Sequence, residues 1–200
     1  KTVTVELMNR GIKPLMLGGE HSITTGAIGA MVQLHPDLII VQLDAHADLR
    51  ENWLGSSFSH ACTMKRCLDI LPSQLIFQLG IRSGTAEEFE ELHTSKRLIS
   101  LSHNQPANAL ENALKPHRKK PIYLTIDLDW FDPSVMPGTG TPEPGGFFWK
   151  DFENVLDVVK NHRIVGGDLV ELAPQIDTSG ISSLLGAKAA RSLLMLLNLT

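Results

Sequence analysis

Short apolar runs that favour β-strands alternate along the chain with longer segments in which apolar residues recur at helical spacing. The apolar runs predict strands at residues 14–17, 38–43, 75–79, 98–101, 122–126 and 164–171. The helical pattern predicts helices at residues 3–10, 25–34, 60–70, 86–93, 107–114, 149–161 and 181–197. Because strands and helices alternate, we expect an α/β fold built around a parallel sheet.

Three potential metal ligands follow the second predicted strand within five residues, namely Asp44, His46 and Asp48. Side chains alternate faces along extended backbone, so all three would project to one side if the extended geometry persisted beyond the strand. Two carboxylates crowded against an imidazole are costly to bury unless a cation compensates their charge. The spacing therefore favours a metal site at a strand end, with a solvated acidic loop as the alternative.

Two further predicted strands end in residues of the same kind. Asp127 and Asp129 follow the fifth strand, and His21 follows the first. In a parallel sheet the carboxyl ends of the strands meet at one edge, so these side chains can converge if the three strands lie side by side. The candidate metal ligands are His21, Asp44, His46, Asp48, Asp127 and Asp129.

This set of two imidazoles and four carboxylates is too large for one ordinary metal site. Carboxylates shared between two ions would suit a pair of divalent cations about 3.5–4 Å apart. The set contains no thiolate, so its donor atoms favour manganese-like ions over a structural zinc.

Length and composition limit the number of domains, the kinds of partner and the cellular location that we expect. The 200 residues, 42% of them hydrophobic, suit a single domain over residues 1–200. The net charge of −4 argues against nucleic-acid and anionic-membrane partners. Two cysteines are too few for a disulfide framework, and neither a signal peptide nor a membrane-spanning apolar run is visible, which favours the cytoplasm.

A loop rich in proline and glycine follows the second acidic cluster, at residues 133–146. Proline restricts the unfolded chain and glycine allows turns that are closed to other residues. We therefore expect this loop to hold a fixed shape against a ligand, with a mere surface connection as the alternative. The final helix is apolar enough to be largely buried or to meet another subunit.

Four segments together resemble the ureohydrolases, the family of arginases and agmatinases, and in particular its agmatinase branch. The segments are Gly18-Gly19-Glu20-His21-Ser22, Asp44-Ala45-His46-Ala47-Asp48, Asp127-Leu128-Asp129 with the loop through Gly146, and Glu171 with Pro174 and Asp177. One segment alone is weak support, whereas all four in this order are highly specific. The resemblance implies a three-layer α/β/α fold with a central parallel sheet.

The resemblance also implies a binuclear manganese centre, with two Mn²⁺ per chain or other divalent ions in their place. Asp44 and Asp127 would bridge the ions, His21 and Asp48 would complete one coordination sphere, and His46 and Asp129 would complete the other. A metal-bridging hydroxide would then hydrolyse a small guanidino compound, with agmatine giving putrescine and urea in polyamine biosynthesis. By the same resemblance we expect a homo-oligomer, either a trimer or a hexamer.

The resemblance assigns catalytic and substrate-binding roles as well. Asp129 would help to move a proton to the departing amine, and His60 matches the histidine that relays protons at the mouth of the site. Glu171 matches the carboxylate that orients the substrate guanidinium, for which a planar bidentate partner is chemically apt. Thr141 would contribute a hydroxyl to the same pocket.

Arg50 separates this chain from the arginases, whose pattern has an asparagine there that binds the α-carboxylate of the substrate. Agmatine has no carboxylate, so we favour agmatine over arginine. Arg50 could instead pair with the carboxylate of a guanidino acid, which leaves another guanidino substrate, such as a guanidino acid, arginine or guanidine, as an alternative.

Family members carry an N-terminal segment with a sheet strand and part of the active-site entrance, and this chain begins at Lys1 without it. We therefore expect either a fragment of a longer enzyme or a shortened protein with an open sheet edge. A metal-binding but inactive scaffold subunit is the alternative from another class, although the full ligand set with His60 and Glu171 argues against it. A deacylase of related fold is a further alternative, but it would not need all six ligands.

Overall fold

The computed structural model describes residues 1–95, 98–99 and 106–199, with residues 98–99 described through their backbone alone. The helices are α1 (Thr2–Asn9), α2 (Ile23–Met31), α3 (Thr63–Leu68), α4 (Ala86–Ser95), α5 (Pro106–Leu114), α6 (Trp149–Val159) and α7 (Ile181–Leu199). The strands are β1 (Leu15–Leu17), β2 (Ile39–Leu43), β3 (Ile76–Leu79), β4 (Leu98–Ile99), β5 (Pro121–Asp127) and β6 (Arg163–Val170). None of the described helices combines the length and the apolar character that crossing a membrane requires.

Each predicted element has a counterpart in the described part of the chain, with its ends shifted by a few residues. The predicted helix at residues 60–70 divides into a 3₁₀ helix, His60–Cys62, and the shorter α3. Residues 100 and 101 of the fourth predicted strand lie outside the described residues.

All strand pairs of the described sheet are parallel, and the strand order is β1-β6-β5-β2-β3-β4. Parallel neighbours need crossover connections, and the intervening helices provide them, which gives the predicted three-layer α/β/α architecture. The strands that carry the two acidic clusters, β2 and β5, are direct neighbours, with Leu43 opposite Ile126.

The strand that precedes His21 lies at the edge of the described sheet, because among the described strands β1 pairs only with β6. The expectation that the three ligand-bearing strands lie side by side is therefore correct for β2 and β5 and wrong for β1. Strand order depends on how helices and strands pack over long sequence distances, and a local apolar pattern carries no information about it.

Every residue of β2, β3 and β5 is buried, which explains why these strands consist of nearly continuous apolar runs. Polar side chains interrupt the apolar runs of the sheet and are buried as well, among them Gln42, Gln78, Thr125, Asp127 and Asp168. Because buried polar groups need hydrogen-bonding partners, these residues indicate a polar network inside the sheet, close to the carboxyl ends of the strands.

Trp130 anchors the chain that follows β5 against the end of β3. Its buried ring stacks on Phe147 with the ring centroids 4.5 Å apart, and it covers the backbone of Gly80. Gly80 has a φ of +98°, and a Cβ atom at this position would lie 2.4 Å from the Trp130 ring. This close approach requires glycine.

Replacement of Gly80 by alanine should lower the free energy of unfolding by about 2–4 kcal/mol, because the methyl group adds a steric clash to a strained backbone. Equilibrium denaturation in urea measures the change. Gly55→Ala is the matched control, since Gly55 also has a positive φ (+85°) but no heavy atom lies within 4 Å of its Cβ position. We expect a loss of about 1 kcal/mol there. Equal losses in the two variants would contradict the packing role of Trp130.

Candidate metal centre

The six predicted ligands meet at the carboxyl end of the sheet, and they are His21, Asp44, His46, Asp48, Asp127 and Asp129. They come from the turn before α2, from the segment after β2, and from the end of β5 with the 3₁₀ helix that follows it. Five of the side chains are buried, whereas the His46 side chain remains 24% exposed. The structure thus brings together every residue of the predicted set, while its role as a ligand set stays a prediction.

His21 lies at the centre of the more buried half of the cluster. Its Nδ1 atom is 3.0 Å from Asp44 Oδ2, 3.1 Å from Asp48 Oδ2 and 3.4 Å from Asp127 Oδ2. Three carboxylate oxygens can surround one ring nitrogen in a buried space only if a proton or a cation lies among them.

His46 lies at the centre of the other half. Its Nδ1 atom is 2.9 Å from Asp129 Oδ2 and 3.6 Å from Asp44 Oδ1. The two oxygens of Asp44 therefore face different histidines, and this carboxylate is shared between the two halves. A shared carboxylate is the arrangement that a pair of neighbouring cations needs.

The backbone after β2 does not continue as a strand. Asp48 has a φ of +55°, a left-handed conformation that is uncommon outside glycine. Its carboxylate faces His21, whereas His46 faces Asp129 in the other half. The extended geometry considered in the sequence analysis therefore does not persist to Asp48, although all three side chains still face the same cluster. Such strained backbone is typical of functional sites.

A chain of buried amides orients Asp44, and the sequence pattern did not reveal it. Gln78 Nε2 donates to Gln42 Oε1 and Gln42 Nε2 donates to Asp44 Oδ2, both over 2.6 Å. The backbone N–H of His46 donates to the other Asp44 oxygen over 2.6 Å. The only signal in the sequence was the presence of glutamine inside buried apolar strands.

Burial and the opposite charges of imidazoles and carboxylates control protonation in the cluster. Burial lowers the pKa of His46, but the Asp129 and Asp44 carboxylates outweigh it and raise that pKa to about 11. Neighbouring carboxylates likewise outweigh burial and raise the pKa of His21 well above its usual value. Burial and the charge of Asp44 raise the pKa of Asp48 to about 8. A divalent cation therefore has to displace protons from this cluster.

The donor atoms of the cluster fit a pair of divalent cations. Two groups of donors, His21 with Asp44 and Asp48, and Asp44 with His46 and Asp129, each lie within 4.8 Å of one another. His21 Nδ1 and Asp48 Oδ2 are buried and have no hydrogen-bond partner among the described residues. Imidazole nitrogens and carboxylate oxygens without a thiolate suit hard to borderline ions.

A pocket of about 230 Å³ opens above the cluster, and His60, Thr141 and Glu171 all line it. Glu171 follows β6 with a φ of +65°, and its Oε1 atom accepts a 2.7 Å hydrogen bond from the backbone N–H of His21. Burial raises the pKa of Glu171. His60 Nδ1 lies 3.7 Å from Glu20 Oε2. The predicted catalytic and substrate-binding residues thus share one pocket with the candidate ligands, and their functions stay predictions.

Arg50 lines the same pocket but is already engaged by its neighbours. Its guanidinium carbon lies 4.1 Å from the centre of the Trp53 ring, and its Nε atom lies 3.9 Å from Glu88 Oε2. Glu88 is buried and also accepts the backbone N–H groups of Leu49 and Thr85, over 2.9 Å and 2.8 Å. A cation stacked on a ring beside a carboxylate has less need of a second anion.

Contacts that were not evident from the sequence fix the position of the loop at residues 133–146. The Arg82 guanidinium donates to the backbone carbonyls of Asp129 and Glu143, over 2.7 Å and 2.9 Å. Asp132 Oδ2 accepts two backbone N–H groups from the far end of the loop, each over 2.9 Å. Arg82 therefore joins the chain after β3 to both the segment of the candidate ligand Asp129 and the loop.

Comparisons with known proteins agree with this geometry. A model described as the arginase family matches residues 1–196. An agmatinase of Bacillus anthracis is 37% identical over 193 residues, which cover 95% of this chain and 66% of that protein. A guanidinobutyrase of Pseudomonas aeruginosa is 34% identical over 199 residues, which cover 96% of this chain and 62% of that protein. The chain thus spans less than two thirds of the length of these curated relatives.

Among solved structures, the agmatine ureohydrolase of Thermoplasma volcanium is similar to this chain with a TM-score of 0.84 and 33% sequence identity. The match covers 99% of this chain and 67% of that one. The similarity therefore extends over the whole described fold, including the sheet edge at which the candidate ligands meet.

Binding of Mn²⁺ near neutral pH should release protons, because the raised pKa of His46 keeps its imidazole protonated in the metal-free protein. Protons compete with the metal, so the apparent affinity should rise between about pH 6 and about pH 8, as the pH approaches the raised pKa of Asp48. Calorimetric titrations in buffers with different ionisation enthalpies count the released protons. Binding without proton release and with no dependence on pH would contradict the assigned cluster.

Proposed function

The chain belongs to the arginase family, and from this premise we propose that it is a ureohydrolase that uses two Mn²⁺ ions to cleave agmatine into putrescine and urea. The observation behind this proposal is the pair of histidine–carboxylate groups that share Asp44 beneath a pocket lined by Glu171. The similarity to the agmatinase of Bacillus anthracis and to the agmatine ureohydrolase of Thermoplasma volcanium supports the choice of substrate.

We assign His21 and Asp48 to one ion and His46 and Asp129 to the other, with Asp44 and Asp127 shared. When bound, such a pair lowers the pKa of water and supplies hydroxide near neutral pH as the nucleophile. The protein contributes the fixed positions of these ligands, since the buried amides hold Asp44 and the N–H of Ala45 donates to Asp129 Oδ1 over 3.0 Å.

Glu171 is assigned to the guanidinium group of the substrate. Its carboxylate is partly buried, and burial raises its pKa, so a cation beside it would offset the cost of its charge. A planar guanidinium can donate two parallel hydrogen bonds to a carboxylate. The pocket of about 230 Å³ is smaller than the ~300–1,000 Å³ of pockets for drug-sized ligands, which suits a short linear substrate.

Asp129 and His60 are assigned to proton transfer. Asp129 Oδ2 lies 2.9 Å from His46 Nδ1 and 3.3 Å from the hydroxyl of Thr141, at the floor of the pocket. A carboxylate in this position can carry a proton to the amine that leaves the guanidinium carbon. The His60 side chain is 44% exposed at the pocket mouth, where an imidazole can exchange protons with solvent.

The surroundings of Arg50 favour agmatine over a guanidino acid. Trp53 and Glu88 already engage the Arg50 guanidinium, so Arg50 is less available to bind a substrate carboxylate. A guanidino acid is the second candidate substrate. The position of Arg50 in the pocket wall and the guanidinobutyrase relative support it.

The alternative to an enzyme is a scaffold protein that binds metal but does not catalyse a reaction. The same pocket contains Glu171, Thr141 and His60 in addition to the ligands, and a scaffold would have no need of them. A cytoplasmic location and a homo-oligomer, either a trimer or a hexamer, remain predictions that rest on the sequence and on the family resemblance.

The full chain loaded with Mn²⁺ should release urea from agmatine faster than from arginine, 4-guanidinobutyrate or guanidine, because Trp53 and Glu88 already engage Arg50. A colorimetric urea assay, together with the metal content per chain, measures this. Faster turnover of 4-guanidinobutyrate would instead indicate that Arg50 binds the carboxylate of the substrate. Two bound ions with no urea from any guanidine would indicate the scaffold, and cleavage of an acetylated amine would indicate a deacylase.

Two variants separate the metal centre from substrate binding in this assay. Asp127→Asn removes a shared charge and should abolish both the second ion and urea release. Glu171→Gln should keep both ions but lower kcat/KM for agmatine about 30–100-fold, because a charge-assisted contact of about 2–3 kcal/mol is lost. Full activity of Asp127→Asn would contradict the binuclear proposal.

A further inference from the structure

Asp168 in β6 is a fully buried carboxylate close to the candidate metal centre, and the chemistry proposed above does not use it. Its Oδ2 atom accepts hydrogen bonds of 2.8 Å from the hydroxyls of Thr24 and Tyr123. Its Oδ1 atom accepts a 2.6 Å hydrogen bond from Thr125, its partner in the β5–β6 register. Hydroxyls from α2 and β5 therefore surround one carboxylate.

The hydrogen bonds continue from Thr125 to His21, whose Nε2 atom lies 2.8 Å from Thr125 Oγ1. A hydroxyl has one proton, and Thr125 donates it to Asp168, which can only accept when ionised. Thr125 must then accept from His21, which places the imidazole proton on Nε2. With one proton held at Nε2, Nδ1 is the nitrogen that can give up its proton when a cation binds among the three carboxylates of the cluster.

We propose that Asp168, acting through Thr125, is a positioning residue that fixes the tautomer and ring orientation of His21 for metal binding at Nδ1. The inference rests on the metal centre of the proposed function, and it assigns a role in metal binding to Asp168 and Thr125. Outer hydrogen-bond partners of a histidine ligand select its free nitrogen and increase its basicity, and their loss typically costs about 10–100-fold in metal affinity.

His46 has no comparable support in the part of the chain that the structure describes. Its Nε2 atom lies 4.0 Å from Glu143 Oε1, which is beyond hydrogen-bond distance, and its side chain is 24% exposed. The half of the cluster around His21 is therefore the more rigid one, and we expect it to bind its ion more tightly.

Thr125→Val tests the inference, because valine keeps the shape of threonine and removes its hydroxyl. Calorimetric titration of the metal-free full chain with Mn²⁺ should show the tighter site weakened about 10–100-fold, and the other site much less affected. Thr125→Ser restores a hydroxyl and should recover most of the lost affinity. Thermal unfolding of the metal-free variants reports separately on stability.

Tyr123→Phe is the matched control. It removes a hydroxyl from the same carboxylate but leaves the path from Asp168 to His21 intact. We expect a lower Tm with the Mn²⁺ affinity of both sites near that of the unaltered chain. Equal losses of affinity in Thr125→Val and Tyr123→Phe would show that the network acts through stability alone and would overturn the inference.

Asp168→Asn provides a second and independent readout. The asparagine amide can donate to Thr125 and so reverse the direction of the hydrogen bonds. The ¹⁵N shifts of His21 in the Zn²⁺-loaded chain, which is diamagnetic, should then change, and unchanged shifts with unchanged Mn²⁺ affinity would overturn the inference. These measurements involve no turnover. A chain that binds Mn²⁺ as expected but releases no urea would therefore contradict the proposed function and not this inference.

Discussion

The compensation of charge in a buried space is the constraint on which the rest of this structure depends. Four carboxylates and two imidazoles lie within a few ångströms of one another, and Asp44 at their centre is inaccessible to solvent. The pairing of β2 with β5 places Asp44 and Asp127 at adjacent strand ends, and the left-handed turn at Asp48 adds a further carboxylate. Each of these features destabilises the folded protein by itself. Bound cations can offset this destabilisation, because they compensate the buried negative charges.

Polar networks inside the sheet hold this cluster in place. One network runs from Gln78 through Gln42 to Asp44, and the other runs from Asp168 through Thr125 to His21. Both cross between neighbouring strands that are otherwise apolar, so the sheet serves as a rigid support for the ligands. In the proposed function, the loops above the sheet would provide the part of the pocket that distinguishes one guanidino substrate from another.

The convergence of the six candidate ligands was predictable because its signals are local, with an apolar run followed at once by histidine or aspartate at short spacing. The edge position of β1 and the turn at Asp48 were not, since both depend on contacts between distant parts of the chain. Thr125 and Asp168 were missed for a related reason. A lone polar residue in an apolar strand has no identifiable partner until the β5–β6 register is known.

Anomalous diffraction at the manganese edge, from crystals of the full chain grown with Mn²⁺, would show whether two ions bind in this cluster. We expect two peaks per chain about 3.5–4 Å apart, one beside His21 and Asp48 and the other beside His46, with Asp44 in contact with both. A single peak, or peaks away from these side chains, would contradict a binuclear centre at the carboxyl end of the sheet.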